Sequence, residues 1–205
     1  MAQLFDATPA NDLPQVPNYN VCPTDNVHVV TGGDGRRLQA MRWGFLPHWY
    51  KTPSDGPLLI NARAETVADK PAFRSACRER RCLIPASGFF EWTKDEDGNR
   101  LPWFIQPTGD GPLAMAGIWQ DWERDGDALR TCAVVTCAAN DAMSQIHHRM
   151  PVLLASEDWA KWLGEEGHGA AALMRAAPEN ALEWHRVGTE VNSNRASGAQ
   201  LIEPI

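Results

Sequence analysis

The sequence predicts an α+β fold: a curved, largely antiparallel sheet or barrel-like β core with peripheral helices. Strand-like runs follow one another through the middle of the chain, separated by turn chemistry. Helical periodicity is confined to short pieces on either side of them. No stretch has the composition of a linker, so residues 1–205 read as one domain.

Each element follows from its residues. The opening "PANDLPQVPNYNVCPTDN" is rich in Pro and Asn, and is expected to be extended and irregular, wrapping a body. "VHVVTGGDGRRLQAMRWGF" reads as two strands around a Gly-Asp-Gly turn. "PAFRSACRERR" reads as a short helix with Pro71 at its first position. Phe73, Ala76 and Cys77 give it an apolar stripe, with Arg74, Arg78 and Arg81 on the opposite face. "CLIPASGFFEWTK", "LPWFIQP", "PLAMAGIWQDW" and "RTCAVVTCA" then form an antiparallel meander, with "DEDGN" as an acidic turn. "SEDWAKWLGEE" reads as a helix capped by Ser156, presenting Trp159, Trp162 and Leu163 on one side. "GAAALMRAA" is a second helical piece, and "LEWHRVGTEVN" returns as a strand.

With 43% hydrophobic and 22% charged residues, the chain has enough apolar surface for a globular core. The net charge of −7 excludes a globally basic nucleic-acid binder but leaves room for a local basic groove. Five cysteines without any CxxC pair indicate reduced thiols, and the spacing of Cys132 and Cys137 puts them on opposite faces of one strand. The start "MAQLFDATPAND" lacks the basic and apolar regions of a secretory signal, and no apolar run is long enough to span a membrane. A cytoplasmic monomer is expected. Neither a Gly-rich phosphate loop nor metal-ligand His spacing is present, so no cofactor or metal is expected.

Candidate chemistry begins in "IPASGFFEW", where Glu91 stands among aromatics. A desolvated carboxylate is paired or raised in pKa, and a raised glutamate suits acid–base work near neutral pH. The competing reading sends Glu91 to solvent by strand alternation while Phe90 and Trp92 point inward. "SQIHHRMP" offers His147 and His148 before a proline; on an extended segment only one of them faces a given site. In "LLINARAET", Asn61 and Arg63 project to the same side and could offer an amide and a cation to one ligand; a capping Asn and a solvated Arg are the alternative. "MRWGFLPHW" places Trp43 and Trp49 around Gly and Pro, as a stacking platform or a packed corner.

In this order and at these separations, "YNVCPT", "RWGFLPHW", "INARAET", "RRCLIPASGFFEW" and "IHHRMP" closely resemble the SRAP family, the SOS response-associated peptidases. The resemblance runs from about Tyr19 to about Asn192. It implies a DNA-damage protein that recognises abasic sites in single-stranded DNA and attaches to them covalently. An N-terminal cysteine, exposed by removal of the initiator Met, would react with the ring-opened sugar aldehyde to form a thiazolidine. By the same resemblance Asn61 positions that cysteine and the sugar, Glu91 shuttles protons and His147 assists ring opening. Trp43, Arg63 and Arg149 are similar to parts of the DNA-facing surface, and the protein would be nucleoid-associated when bound to damaged DNA. His148 takes a variable position and no role.

The family opens with Met-Cys-Gly-Arg, whereas this chain begins "MAQLFDA", which points to a truncated or mis-started opening strand or, as the alternative, to a protein that does not crosslink. Cys22 lies inside "NVCPT", and an internal cysteine lacks the free α-amine that closes a thiazolidine. Two rival functions are a non-covalent binder of single-stranded or abasic DNA and a cysteine-type peptidase. The arginines cluster at Arg42, Arg63, Arg74, Arg78, Arg81 and Arg149, while the acidic residues gather in "DEDG", "DWERDGD" and "SEDWAKWLGEE". Arg42 and Arg78 therefore join Arg63 and Arg149 in an expected positive groove, against the alternative of scattered surface ion pairs.

Overall fold

Strand-forming residues on either side of a Gly-rich turn build the first hairpin. The computed structural model describes residues 1–205, and in it β2 (Asn26–Thr31) pairs antiparallel with β3 (Arg36–Trp43), Val30 opposite Leu38. Val29, Val30, Leu38 and Met41 are buried, and Gly33 and Gly35 take the positive φ values of the turn. β5 (Arg81–Ala86), β8 (Leu113–Arg124) and β9 (Asp127–Ala138) continue the sheet antiparallel. Arg42 and Trp43 of β3 then pair in parallel with Thr131 and Cys132 of β9. This pairing closes five strands, in the order β3-β2-β5-β8-β9, into the barrel that the sequence suggests. Its interior is tight: a Cβ on Gly117 would lie 2.8 Å from Ile84 and 2.9 Å from the Cys82 sulfur.

Three short strands dock on the barrel. β1 (Ala7–Pro9) lies parallel to β3, β4 (Asn61–Arg63) parallel to β9, and β10 (Arg149–Pro151) antiparallel to β9. A second sheet has the order β11-β7-β6, from β6 (Phe89–Lys94), β7 (Arg100–Pro107) and β11 (Leu182–Arg186). Side-chain parity gives it two covered faces. Phe89, Ile105, Leu182 and Trp184 join the main core, whereas Phe90 and Phe104 pack with Val187, Val191 and Leu201 near the C-terminus. This arrangement positions the site.

Helices are fewer and shorter than their patterns suggest. α1 is Arg74–Glu79 and starts without a side-chain cap, so the Pro71 turn does not join it. Arg81 leaves the expected helix face for β5, where its guanidinium turns inward to the carbonyls of Cys77, Arg78 and Trp162. Ser156 is not an N-cap: Ser156–Asp158 is a 3-10 turn leading into α3 (Trp159–Leu163). Trp162 is fully buried there and Trp159 stacks on Phe5, centroids 4.4 Å apart. "GAAALMRAA" keeps one 3-10 turn, Ala170–Leu173, and "LEWHRVGTEVN" is strand only to Arg186.

The Asn-rich opening does wrap the body. Asn11 exchanges both side-chain hydrogen bonds with Ala40, and the Asn20 amide donates to Ser193 and Ala196 carbonyls. Cys132 and Cys137 share β9, and all five thiols are free. No helix is long and apolar enough to cross a membrane.

Candidate active site

Strand alternation along β6 decides what Glu91 meets. Phe90 turns to the outer face, 5.3 Å from Phe104 between centroids. Trp92 goes the same way; its indole N–H donates to Asn192 at 2.6 Å and Arg100 lies 4.4 Å over its ring. Glu91 consequently faces the barrel side, opposite Trp103, with its side chain only 27% exposed. The solvated-carboxylate reading of "GFFEW" gives way to the desolvated one. Burial raises the Glu91 pKa, partly offset by His147, the Trp92 backbone N–H and Arg100.

His147 arrives by a different route. Asn140 caps α2 (Asp141–Ser144), accepting from the Met143 N–H at 2.8 Å and donating to Ala177. Met143 is fully buried, and its carbonyl accepts the His147 N–H at 3.0 Å. The ring is thereby hung from a fixed turn just before β10, with Nδ1 3.7 Å from Glu91 Oε1. That is longer than a direct hydrogen bond and within the span of an ion pair or a bridging water.

Nδ1 also lies 3.1 Å from the Arg149 amide nitrogen and 3.0 Å from the Arg149 carbonyl oxygen. The amide can donate only to a neutral ring carrying its proton on Nε2. A protonated ring instead directs Nδ1–H at the carbonyl or at Glu91. A proton can therefore be gained or lost at Nδ1 without moving the imidazole. His148 is exposed, its ring 4.4 Å from that of His147.

The remaining sequence candidates fall into two groups. Asn61 and Arg63 flank the fully buried Ala62, so both project outward, and neither side chain has a hydrogen-bond partner. β9 separates β4 from β10, and no direct bond joins Asn61 to Glu91 or His147. Arg78 is exposed on α1, which packs on β5 and β8. Arg149, Arg42 and Trp43 are already engaged. Arg149 forks onto Glu65 at 2.7 and 2.9 Å and donates to the Thr136 carbonyl. Arg42 donates to the Gly44 carbonyl at 2.5 Å, and Gly44 needs its φ of +137° to make that turn. Trp43 is half-buried, its indole N–H bonded to the Ile60 carbonyl at 3.0 Å.

Of the two tryptophans of "MRWGFLPHW", Trp49 is the more open, at 45% exposure. One residue escapes the motif reading altogether. Glu65 is the partner of Arg149, and the period-2 spacing Asn61, Arg63, Glu65 was the available signal. Clefts of about 310 Å³ beside Trp122 and about 480 Å³ beside Thr108 lie away from this pair. The Glu91–His147 pair sits on neither of them.

A family model described as SOS response associated peptidase (SRAP) matches residues 1–194. The chain is 35% identical over 192 residues to the abasic site processing protein YoqW of Bacillus subtilis (strain 168), covering 91% of this chain and 86% of that one. It is 34% identical over 203 residues to the abasic site processing protein YedK of Escherichia coli (strain K12), covering 95% and 89%. A crystal structure of a protein from Bacteroides thetaiotaomicron superposes with a TM-score of 0.79 at 26% identity, over 89% of this chain and 82% of that one. With the family model spanning all but the last residues and both relatives aligned over most of their length, the chain belongs to the SOS response associated peptidase family.

Proposed function

We propose that this protein acts in the response to DNA damage by recognising abasic sites in single-stranded DNA, with Glu91 and His147 as the proton-transfer pair of a covalent attachment. The observation that carries this reading is the pair itself: a carboxylate raised in pKa by burial, 3.7 Å from an imidazole fixed by its backbone. The names of the relatives supply the substrate class.

The chemistry needs this kind of pair. Opening the hemiacetal of an abasic sugar removes the proton of its anomeric hydroxyl and delivers one to the ring oxygen. An amine then adds to the aldehyde carbon, and the carbinolamine hydroxyl must be protonated to leave as water. A thiol closes the ring on the resulting iminium, giving up its proton to a base. Each transfer is within reach of the Glu91 carboxyl and the His147 imidazole, exchanging donor and acceptor roles. Asn61 would orient the sugar through its free amide, and Arg63 and Trp49 would offer a phosphate and a base their open groups.

The aminothiol is the family's N-terminal cysteine; residue 2 here is Ala. Cys22 cannot replace it, because its nitrogen is in a peptide bond and its thiol pKa is raised by burial and by Asp25. The other four thiols are buried. The test uses a single strand carrying one abasic site, resolved on a denaturing gel. A chain preceded by a Met-Cys-Gly-Arg segment should form a stable adduct, and residues 1–205 alone should retain the strand only under native conditions. An adduct formed equally well by residues 1–205 would assign the bond to another nucleophile, and loss of all binding to the strand would remove the reading altogether.

A further inference from the structure

Arg186 is the exception among the partly buried arginines. Six arginines are half-buried: Arg36, Arg42, Arg80, Arg81, Arg149 and Arg186. Arg36, Arg80 and Arg149 are ion-paired. Arg42 and Arg81 donate to carbonyls. The Arg186 guanidinium has no hydrogen-bond or ion-pair partner; its buried Nε lacks an acceptor, as do those of Arg80 and Arg149, but those two are paired through their other nitrogens. A guanidinium drawn part-way out of water without an anion is costly.

Its position suggests what fills the gap. Glu91, Trp103 and Arg186 lie opposite one another across β6, β7 and β11, on the face turned toward the barrel. The guanidinium sits 5.4 Å from the Trp103 ring centroid, and the Trp103 indole N–H is tied to Thr93 Oγ1 at 2.9 Å. Trp103 is thus fixed, and it holds the guanidinium by a cation–π contact that leaves the donor edge free. Two inter-strand spacings of ~4.8 Å put the Arg186 backbone roughly 10 Å from that of Glu91. A strand with its sugar at Glu91 would carry neighbouring phosphodiesters across this span. Arginine on an aromatic platform is well matched to such a group, because its planar fork takes two phosphate oxygens at once.

We propose that Arg186, held on Trp103, binds a backbone phosphodiester flanking the abasic nucleotide. This inference rests on the proposed function. It adds to the DNA track a residue outside the five family motifs, from a strand near the C-terminal end of the chain.

The experiment measures binding of a labelled single strand containing one stable tetrahydrofuran abasic analogue, across a salt series. Arg186→Gln should bind ~10-fold more weakly, with a salt slope shallower by roughly 0.7. A second readout replaces single linkages near the analogue by uncharged methylphosphonates. One linkage should weaken the unsubstituted protein and leave Arg186→Gln unaffected, a non-additivity that a purely structural arginine does not produce. Should Arg186→Gln fail to fold, Arg186→Met keeps the aliphatic stem on Trp103 and is read the same way. Unchanged affinity and slope, or equal linkage penalties in both proteins, would overturn the assignment while leaving the proposed function intact. An unsubstituted protein that does not bind the strand would overturn both.

Discussion

His147 Nδ1 stands 3.7 Å from Glu91 Oε1, although the two residues come from separate parts of the fold, one from the turn before β10 and the other from the middle of β6. If this is the proton-transfer pair, Glu91→Gln and His147→Ala should each slow adduct formation by the cysteine-extended chain by about 10²–10⁴-fold. Non-covalent binding of the same strand should stay within a few fold. Adduct rates unchanged in both variants would show that the protons travel elsewhere.

Glu91 should also cost the protein stability. Its folded pKa is raised from an ordinary 4.5 because burial disfavours the charged form. Any stabilisation from such a group is complete below its unfolded pKa and is lost as pH rises through the folded value. Glu91→Gln, uncharged at every pH, should therefore be no less stable than the unsubstituted protein at neutral pH. The difference in thermal midpoint should move in favour of Glu91→Gln as pH is raised from about 4.5. A difference moving the other way would mean that His147 and Arg100 outweigh burial.

Arg149 was expected to face DNA, and the structure gives it a resident anion in Glu65. The two-pronged bond holds the Glu65 carboxyl at about 2, from an ordinary 4.5. A lowered folded pKa contributes stability above the unfolded value, and that contribution is lost as pH falls from about 4.5 toward 2. Because the carboxylate is 50% exposed, the pair contributes at most about 1 kcal/mol. Glu65→Gln should forfeit that acid-sensitive increment. It should also free the guanidinium for phosphate, tightening single-strand binding several-fold and steepening the salt slope by roughly 0.7. Unaltered affinity and slope would make Arg149 a brace between β4 and β10 rather than a DNA contact.

Much of the barrel was legible because its signals are local. The Gly-Asp-Gly turn in "HVVTGGDGRRLQAMRW" marks off β2 from β3, and turn residues separate the later strands. The closing pair, β3 with β9, joins Trp43 to Cys132 and is parallel; no turn or period announces a contact so distant in sequence. Helix ends differ from the expected positions where a favourable residue type is present without its geometry. Ser156 could cap, but its side chain bonds its neighbour Glu157 instead. At the candidate site, Glu91 stands out by its aromatic neighbours, whereas His147 is singled out from His148 only by the family resemblance. The motifs do not say which arginines are already occupied, since that depends on Glu65 and Trp162 arriving from other elements and on the turn at Gly44 that follows β3.

The same limit applies to the two tryptophans of "MRWGFLPHW". Either could stack on a base, and the family resemblance points to Trp43. The two differ in how open they are. Trp43 spends its indole N–H on the Ile60 carbonyl and packs against the main core, so replacing it disturbs the link between the end of β3 and the segment entering β4. Trp49 lies at 45% exposure, its ring braced edge-on by His48 at 5.0 Å. Trp49→Ala should weaken single-strand binding by about 1–3 kcal/mol while leaving the thermal midpoint nearly unchanged. Trp43→Ala should lower the midpoint by removing a half-buried aromatic, at a cost of up to ~3 kcal/mol. Parallel binding and melting measurements on the two variants check both outcomes. Loss of affinity confined to Trp43→Ala, with Trp49→Ala binding normally, would place the bases on the other side of this segment and detach Trp49 from the DNA track.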